Sequence, residues 1–431
     1  MQDASLDPSS GLTRSGEGAG DPTRKGFTAG THRLIPPELT VERILARRAI
    51  YGITRVADVT GLDSIGIPVV AVYRPNARSL VTAQGKGITL AAAKASGLME
   101  AVEAFHAERV KLPLRYASYR ELSAEQPVVD PWALPRTRAS RFHEDTELLW
   151  VSAWDMMGAE GTETVFVPFE CVHTNFSLPL PAGTGCFMMS SNGLASGNHL
   201  LEAISHGICE VVERHSSALF HIEVASGAAE RRRIDLESVE DPLCLELLER
   251  FERAGIAVGA WDITSEVEIP CVMVEIVDAE DDPGRLLYAT SGLGCHLSPT
   301  VALLRALTEA AQCRLTYIAG SRDDSDRDIY EQARNRSVIE RARRRLVDTR
   351  GAVRFESLRD RSTATLEGDV SLELTALERA GVGQALVVDL TQRELGVPVV
   401  RVIVPGLEGI FDVPGYVPGA RARRKLAEAG R

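Results

Sequence analysis

One unit recurs three times in this 431-residue chain. Leu98-Met99-Glu100-Ala101-Val102-Glu103 follows QGKG (84–87). Ile208-Cys209-Glu210-Val211-Val212-Glu213 follows NGLASG (192–197). Leu307-Thr308-Glu309-Ala310-Ala311-Gln312 follows SGLGCH (291–296). Each copy reads apolar residue, any residue, Glu, two small apolar residues, then Glu or Gln. Gly87 precedes Glu100 by 13 residues, the interval that also separates Gly197 from Glu210. Such a repeat constrains the chain to one supersecondary unit, a glycine-rich turn leading into a helix, used several times around a common centre.

Helical geometry sorts the residues of each copy. At about 100° per residue, Glu202, His206, Glu210 and Glu213 fall within a stripe of roughly a quarter-turn. Ile204, Ile208, Val211 and Val212 fall on the opposite side and are the expected core face. Ser96, Glu100 and Glu103 share one arc on the first helix, and Arg305, Glu309 and Gln312 share one on the third. A solvated acidic face is one reading, but such faces intersperse Lys or Arg at i+4. No Lys lies between 198 and 221, and the one Arg, Arg214, falls off the stripe. The other reading is a Mg²⁺ site, since that hard ion takes carboxylate oxygens and completes its shell with water and phosphates. A glycine turn opening a helix attracts anions through its N–H groups, and Lys86 adds a point charge. Neither a Walker phosphate loop nor a G-x-G-x-x-G dinucleotide fingerprint is present.

The remaining chain alternates strands and helices, which indicates an α/β or α+β core. Helices are expected at 36–50, 89–108, 198–221, 237–254 and 299–319, and strands at 67–75, 148–156, 163–170, 256–264, 270–278 and 396–405. Residues 110–145 read as a surface excursion and 175–187 as a loop. The charged stretch 321–346 reads as a solvated helical face or mobile arm. The domain plan is a disordered tail over 1–30, one domain over 31–415 and a basic tail over 416–431. His106, His215 and His221 read as hydrogen-bonded structural histidines, while His296, beside a glycine turn, is a candidate ligand contact.

A net charge of −12 argues against nonspecific binding to nucleic acid or anionic membranes. No apolar run approaches the roughly 20 residues that span a bilayer. Cys171, Cys186, Cys209, Cys244, Cys271, Cys295 and Cys313 are scattered, with no C-x-x-C pair. Reduced thiols in a cytoplasmic protein are expected, and a zinc or iron–sulfur site is not.

At S-x-x-x-E-x-x-E (Ser96 to Glu103), N-G-L-A-S-G…E-A…E-x-x-E-R (Asn192 to Arg214) and R-A-L-x-E-x-x-Q-x-R (Arg305 to Arg314), the chain resembles the YcaO family. The resemblance covers roughly residues 30–410. It implies an α/β domain with internal pseudo-symmetry built around an ATP site. It also implies ATP- and Mg²⁺-dependent phosphorylation of a peptide-backbone amide oxygen, followed by nucleophilic attack and loss of phosphate. Carried over by position, Glu100, Glu103, Glu202, Glu210 and Glu213 would hold Mg²⁺. Ser96, Asn192, Arg214, Arg305, Glu309 and Gln312 would line the nucleotide pocket, with Arg33 and Thr40 reaching the phosphates. One departure stands out: the first motif usually ends E-x-x-E-R, and here Ala104 replaces the arginine.

The segments GTHR, GITRVADVTGLDSIGIPV (52–69) and VPGLEG resemble the branch that works with TfuA-type partners. That branch implies thioamide formation on a ribosomally made peptide or protein, with an external sulfide donor and a homodimeric enzyme. The alternatives are an azoline-forming cyclodehydratase, in which a substrate Cys, Ser or Thr attacks its own preceding amide, and an accessory ATP-binding factor for methylthiolation of a ribosomal protein.

Overall fold

A computed structural model describes residues 21–158, 163–280, 289–320, 322, 324, 327–333, 335–348 and 351–430. Its organising unit is a helix, three antiparallel strands and a second helix. The first copy is contiguous: α1 (Pro37–Leu45), β1 (Arg55–Asp58), β2 (Val69–Tyr73), β3 (Thr82–Lys86) and α2 (Leu90–Ala107), with sheet order β1-β2-β3. After it come β4 (Arg115–Ser118), α3 (Tyr119–Ser123), β5 (Glu147–Asp155) and β6 (Glu163–Pro168). β7 (Leu194–Ser196) and α4 (Leu200–Ser226) then begin a second copy, and β8 (Ile234–Asp235) follows.

Another contiguous copy runs α5 (Pro242–Arg253), β9 (Ile256–Asp262), β10 (Cys271–Asp278), β11 (Thr290–Cys295) and α6 (Pro299–Ala319), with sheet order β11-β10-β9. Beyond α7 (Arg327–Ala333), α8 (Arg336–Asp348) and β12 (Val353–Arg354), the interrupted copy is completed by α9 (Leu366–Arg379), β13 (Leu386–Asp389) and β14 (Val399–Ile403). There β14 pairs with both β13 and β7, and β5 extends the sheet by pairing with β13, β4 and β6. The last element is α10 (Ala420–Glu428).

QGKG and SGLGCH are therefore strands rather than turns, whereas NGLASG is a turn at Asn192-Gly193 that leads into the strand Leu194–Ser196. β3, β7 and β11 each form one edge of their sheet and lead into the helix that packs on it. The registers match: Val70 opposes Gly85, Val400 opposes Ala195 and Val272 opposes Gly294. Just past each strand, the N–H of Gly87, Gly197 or His296 donates to the carbonyl of Pro68, Pro398 or Pro270, at 3.3, 3.2 and 3.1 Å. Those three N–H groups are thus held by the adjacent strand rather than offered to an anion. The glycines serve close packing instead. A Cβ on Gly85 would lie 2.0 Å from the Ala93 carbonyl oxygen and 2.1 Å from the Gly97 nitrogen. One on Gly294 would lie 2.0 Å from the Ala302 carbonyl oxygen, so each helix backbone rests directly on its strand.

Several other expectations are corrected by packing. Residues 115–118 are not a free excursion, since β4 is hydrogen-bonded to β5. The arm expected at 321–346 buries Ile339 and Leu346 of α8 against the core beneath α4, because its apolar residues recur at helical spacing among the charges. Within 416–431, α10 buries Ala422 against Leu219 and Ile222 of α4, and the Glu408 carboxylate accepts from the N–H groups of Gly419 and Ala422. The first twenty residues of the expected tail lie outside the described residues. Residues 21–30 are ordered by a buried ion pair between Lys25 and Asp369 at 2.5 Å. Among the described residues no helix is long and apolar enough to cross a membrane.

The strand–helix contact gives a direct test. Gly85→Ala and Gly294→Ala are expected to destabilise the protein by about 3 kcal/mol or more, because backbone rather than a side chain must move. Gly61→Ala, with no atom within 4 Å of its new Cβ, should change stability by no more than about 0.5 kcal/mol. Denaturant melts of the three variants would check the contrast.

Candidate functional site

The three repeated helices converge on one cavity of about 750 Å³, within the range of roughly 300–1,000 Å³ usual for small-molecule sites. α2 supplies Ser96, Glu100 and Glu103, α4 supplies Glu202, Glu210, Glu213 and Arg214, and α6 supplies Arg305, Glu309 and Gln312. Lys86 enters from β3, and Arg33 and Thr40 enter from the N-terminal segment. Thus all but one of the site residues expected from sequence lie on this wall. The exception is Asn192, whose carbonyl accepts from Arg401 Nη1 at 2.7 Å and whose buried Oδ1 has no hydrogen-bond partner among the described residues. It sits behind the wall because Gly193, at φ 75°, turns the chain there.

The repeat explains the convergence. Counted from the end of its glycine strand, Glu100 is equivalent to Glu210 and Glu309, and Glu103 to Glu213 and Gln312. Ser96, His206 and Arg305 are likewise equivalent. Three helices of the same register, each lying on its own edge strand, turn the same face to one centre.

Polar contacts fix the carboxylates unequally. Glu103 Oε1 accepts from Ser196 N–H at 2.9 Å and from Ser196 Oγ–H at 2.6 Å. Glu202 accepts from Leu34 N–H at 2.8 Å and from Asn198 N–H at 3.2 Å, with Arg33 Nε at 3.8 Å. It therefore also ties the N-terminal segment to the cavity. Lys86 is ion-paired with Glu309, and Arg322 with Asp324. Apart from Arg33, the wall cations left to face Glu100, Glu103, Glu210 and Glu213 are Arg214 and Arg305. Glu213 Oε2 is buried and has no hydrogen-bond partner among the described residues.

The charge balance shows in the acidities. Burial pushes Glu100 and Glu210 up to about 7, against the pull of Lys86 and Arg214 respectively. Burial pushes Glu103 up to about 8 despite its bonds from Ser196, and raises Glu213 as well. For Glu309, burial is outweighed by Lys86 and Arg214, and its carboxyl is lowered. Buried carboxylates short of positive charge, one with an unpartnered oxygen, fit a hard divalent cation and the phosphates it bridges.

Sequence reasoning placed His206 on the acidic stripe without a role and missed Ser196 and Arg401. His206 lines the cavity between Glu202 and Glu210, and burial holds its pKa well below the usual range. The neutral ring places Nδ1 3.0 Å from Arg305 Nη1 and accepts its hydrogen bond. Ser196 anchors Glu103. Arg401, 1% exposed, donates to the Val172 carbonyl at 2.8 Å and to Asn192. His206 was visible as the repeat partner of Ser96 and Arg305, whereas Arg401 sits within an apolar strand with no sequence mark. His296 is not on the wall. It meets His32 edge-on at 4.8 Å, where His32, His296 and Asp369 form a cluster of metal-ligand type. Lys25 Nζ stands 3.1 Å from His32 Nδ1 and 2.5 Å from Asp369, so an ammonium already supplies the cation.

Comparisons with known proteins agree with this geometry. The family described as YcaO cyclodehydratase, ATP- and Mg²⁺-binding, matches residues 84–408. A protein of Methanothermobacter thermautotrophicus is 34% identical over 399 residues, covering 91% of this chain and 99% of its own. A Rhizobium leguminosarum bv. trifolii protein, named for its place in the tfuA 3′ region, is 36% identical over 403 residues, covering 92% and 93%. The structure of YcaO from Methanopyrus kandleri bound with AMPPCP and Mg²⁺ matches at TM-score 0.70 and 25% identity, over 92% of this chain and 98% of that one. A heterocyclase in complex with substrate and cofactor shares the fold at TM-score 0.74 and 23% identity. The chain covers 95% of itself in that match but spans only 56% of the heterocyclase.

The raised carboxyls set a pH dependence. Folding holds their protons more tightly than the unfolded chain, whose carboxyls titrate near 4.5. Stability of the protein without added cation should therefore fall as pH rises from about 4.5 towards 7 to 8. Mg²⁺ held by these carboxylates would compete with their protons, so Mg²⁺-dependent nucleotide affinity should rise with pH between 6 and 8.5 while releasing protons. Calorimetry in buffers of different ionisation enthalpy measures both, and a pH-independent affinity with no proton release would exclude these carboxylates as ligands.

Proposed function

The chain is a member of the YcaO family, and on that footing we propose that it uses ATP to activate a peptide-backbone amide, most specifically for thioamide formation. The observation that carries this reading is the convergence of three equivalent helices, which brings Glu100, Glu103, Glu202, Glu210 and Glu213 to one buried cavity with Arg214, Arg305 and Lys86 around them. Mg²⁺ held there would neutralise the charge that develops on the phosphates during transfer. Glu100, Glu103, Glu210 and Glu213 would hold it. Glu202 stands beside them but already holds the N-terminal segment.

The other residues bind and orient. Arg214 and Arg305 would take the phosphates, and neutral His206 fixes the Arg305 guanidinium without adding a competing charge. Lys86 meets Glu309 across the cavity, and Gln312 completes the α6 face. In the reaction the amide oxygen takes the γ-phosphoryl group and ADP leaves. Hydrosulfide then adds to the amide carbon, and the carbon–oxygen bond breaks as phosphate departs, giving a thioamide. Catalysis of this kind is positioning plus electrostatics, and it requires no nucleophile from the protein. The likeness to the protein of the tfuA 3′ region supports a TfuA-type partner and hence the sulfur chemistry.

A second reading, an azoline-forming cyclodehydratase, is favoured by the family's own description. The two differ in product: one exchanges oxygen for sulfur, the other loses water. Glu210→Gln is expected to keep the fold and to weaken Mg²⁺-dependent ATP binding by at least about tenfold, on the order of 1.4 kcal/mol. Titration calorimetry of both proteins checks it. Unchanged binding in the variant would refute the metal assignment, and peptide mass after incubation with ATP, sulfide and partner separates the two chemistries.

A further inference from the structure

The repeat gives each helix one more equivalent position on the cavity. The interval from Lys86 to Ala104 equals those from Ser196 to Arg214 and from Cys295 to Cys313. On α4 the position is filled by an arginine whose Nη2 lies 3.7 Å from Glu213. On α2 it is an alanine, and the cavity extends over it.

That end of the cavity differs from the rest. Its floor is Ala104 and Met99, and its far wall is Thr174 and Phe176. Arg74, the guanidinium that lines this end, is bound to buried Glu108 at 2.7 Å, and Ser79 is fixed to the same carboxylate through Oγ at 2.6 Å. Phe176 N–H donates to the Arg78 carbonyl at 2.9 Å, so both loops forming the wall are held together. Buried Thr174 has a hydroxyl with no hydrogen-bond partner among the described residues. At the mouth the surface turns apolar: Phe176 is 45% exposed, and Leu178, on the same loop, is 84% exposed. Unpaired apolar side chains of this size at the rim of a charged cavity mark a binding surface.

We propose that the end of the cavity floored by Ala104 receives the polypeptide substrate, with an apolar side chain next to the activated amide resting on Phe176 and Leu178. This rests on the ATP-dependent reading above and adds the substrate's chemistry to it. The guanidinium-lined part of the cavity claims the phosphates. The Ala104 end has its lining guanidinium, Arg74, already paired with Glu108, an unsatisfied hydroxyl and an apolar rim, which suit a neutral amide and a hydrophobic side chain. Glu103, one residue from Ala104, puts the two parts in contact where phosphoryl transfer to the amide oxygen would occur. Ala104 is then a specificity-determining residue, since an arginine there would fill the space.

The test uses the full chain with AMPPCP and Mg²⁺ and four capped peptides, acetyl-Gly-Gly-Xaa-Gly-Gly-amide with Xaa Leu, Phe, Asp or Lys. Binding is followed by saturation-transfer NMR, and AMPPCP affinity by calorimetry. The Leu and Phe peptides are expected to bind about tenfold more tightly than the Asp and Lys peptides. Ala104→Arg and the surface change Leu178→Ser should each remove most of that preference, Leu178→Ser with AMPPCP affinity unchanged and Ala104→Arg with AMPPCP still bound. Four equal affinities, no peptide binding to the nucleotide-loaded protein, or a preference untouched by both variants would overturn the proposal. So would an Ala104→Arg protein that loses AMPPCP, which would assign the position to the nucleotide. Failure of the unaltered protein to bind AMPPCP with Mg²⁺ would instead strike the underlying functional reading.

Discussion

The close seating of a helix backbone on an edge strand is the contact on which the rest of this structure depends. At Gly85 and Gly294 no side chain separates helix from strand. The strand therefore fixes the helix in height and rotation, not only in direction. A rotation of one residue, about 100°, would swing Glu100 or Glu210 out of the cavity. Two units make this contact through glycine and the third has Ala195 at the same register, and in all three the helix enters at the same distance from the strand, which makes the carboxylate geometry a consequence of backbone packing. The proline carbonyls of residues 68, 270 and 398 reinforce it by holding the first N–H beyond each glycine strand.

Holding acids this way has an electrostatic cost, and the surrounding chain is arranged to offset part of it. Arg401 is a fully buried guanidinium whose hydrogen bonds go to backbone carbonyls, leaving its charge to the nearby acids Glu210 and Glu103. Glu202 accepts from Leu34 of the N-terminal segment at one oxygen and from Asn198 at the other, and Glu103 holds Ser196 with one of its own. What is left over is concentrated on Glu100, Glu210 and Glu213. The fold thus tolerates a local deficit of positive charge at the place where a cation would bind, as functional sites commonly do.

Much of this was legible in the sequence, and the gaps have physical reasons. The third helix was expected at 299–319 and runs Pro299–Ala319, because its start carries Pro and its apolar face is continuous. The acidic stripes were readable because helical spacing is strict. The glycine strands were misread as turns, since glycine marks both positive-φ turns and close backbone approach, and composition alone does not separate them. A better signal was present: Ile67-Pro68-Val69-Val70, Ile269-Pro270-Cys271-Val272 and Val397-Pro398-Val399-Val400 each start the strand beside a glycine strand. Asn192 was carried over by motif, but side-chain direction at a turn is set by tertiary contacts that no motif records. The docking of α8 and α10 was hidden by their charge, which occupies only the outward face.

The interrupted unit has a consequence for how the chain is made. β7 and β14 pair although they lie about 200 residues apart, and the whole α5–α6 unit is threaded between them. The first and the inserted units contain all their own strands and can acquire structure as they leave the ribosome. α4, with its carboxylates, waits for β14, one of the last strands to be synthesised. Closing so long a loop is slow compared with local folding. Until it closes, the longest acidic helix has no sheet beneath it and exposes Ile204, Ile208 and Val212. Assembly of the cavity therefore waits on this long-range pairing, a step at which chaperones have much to protect.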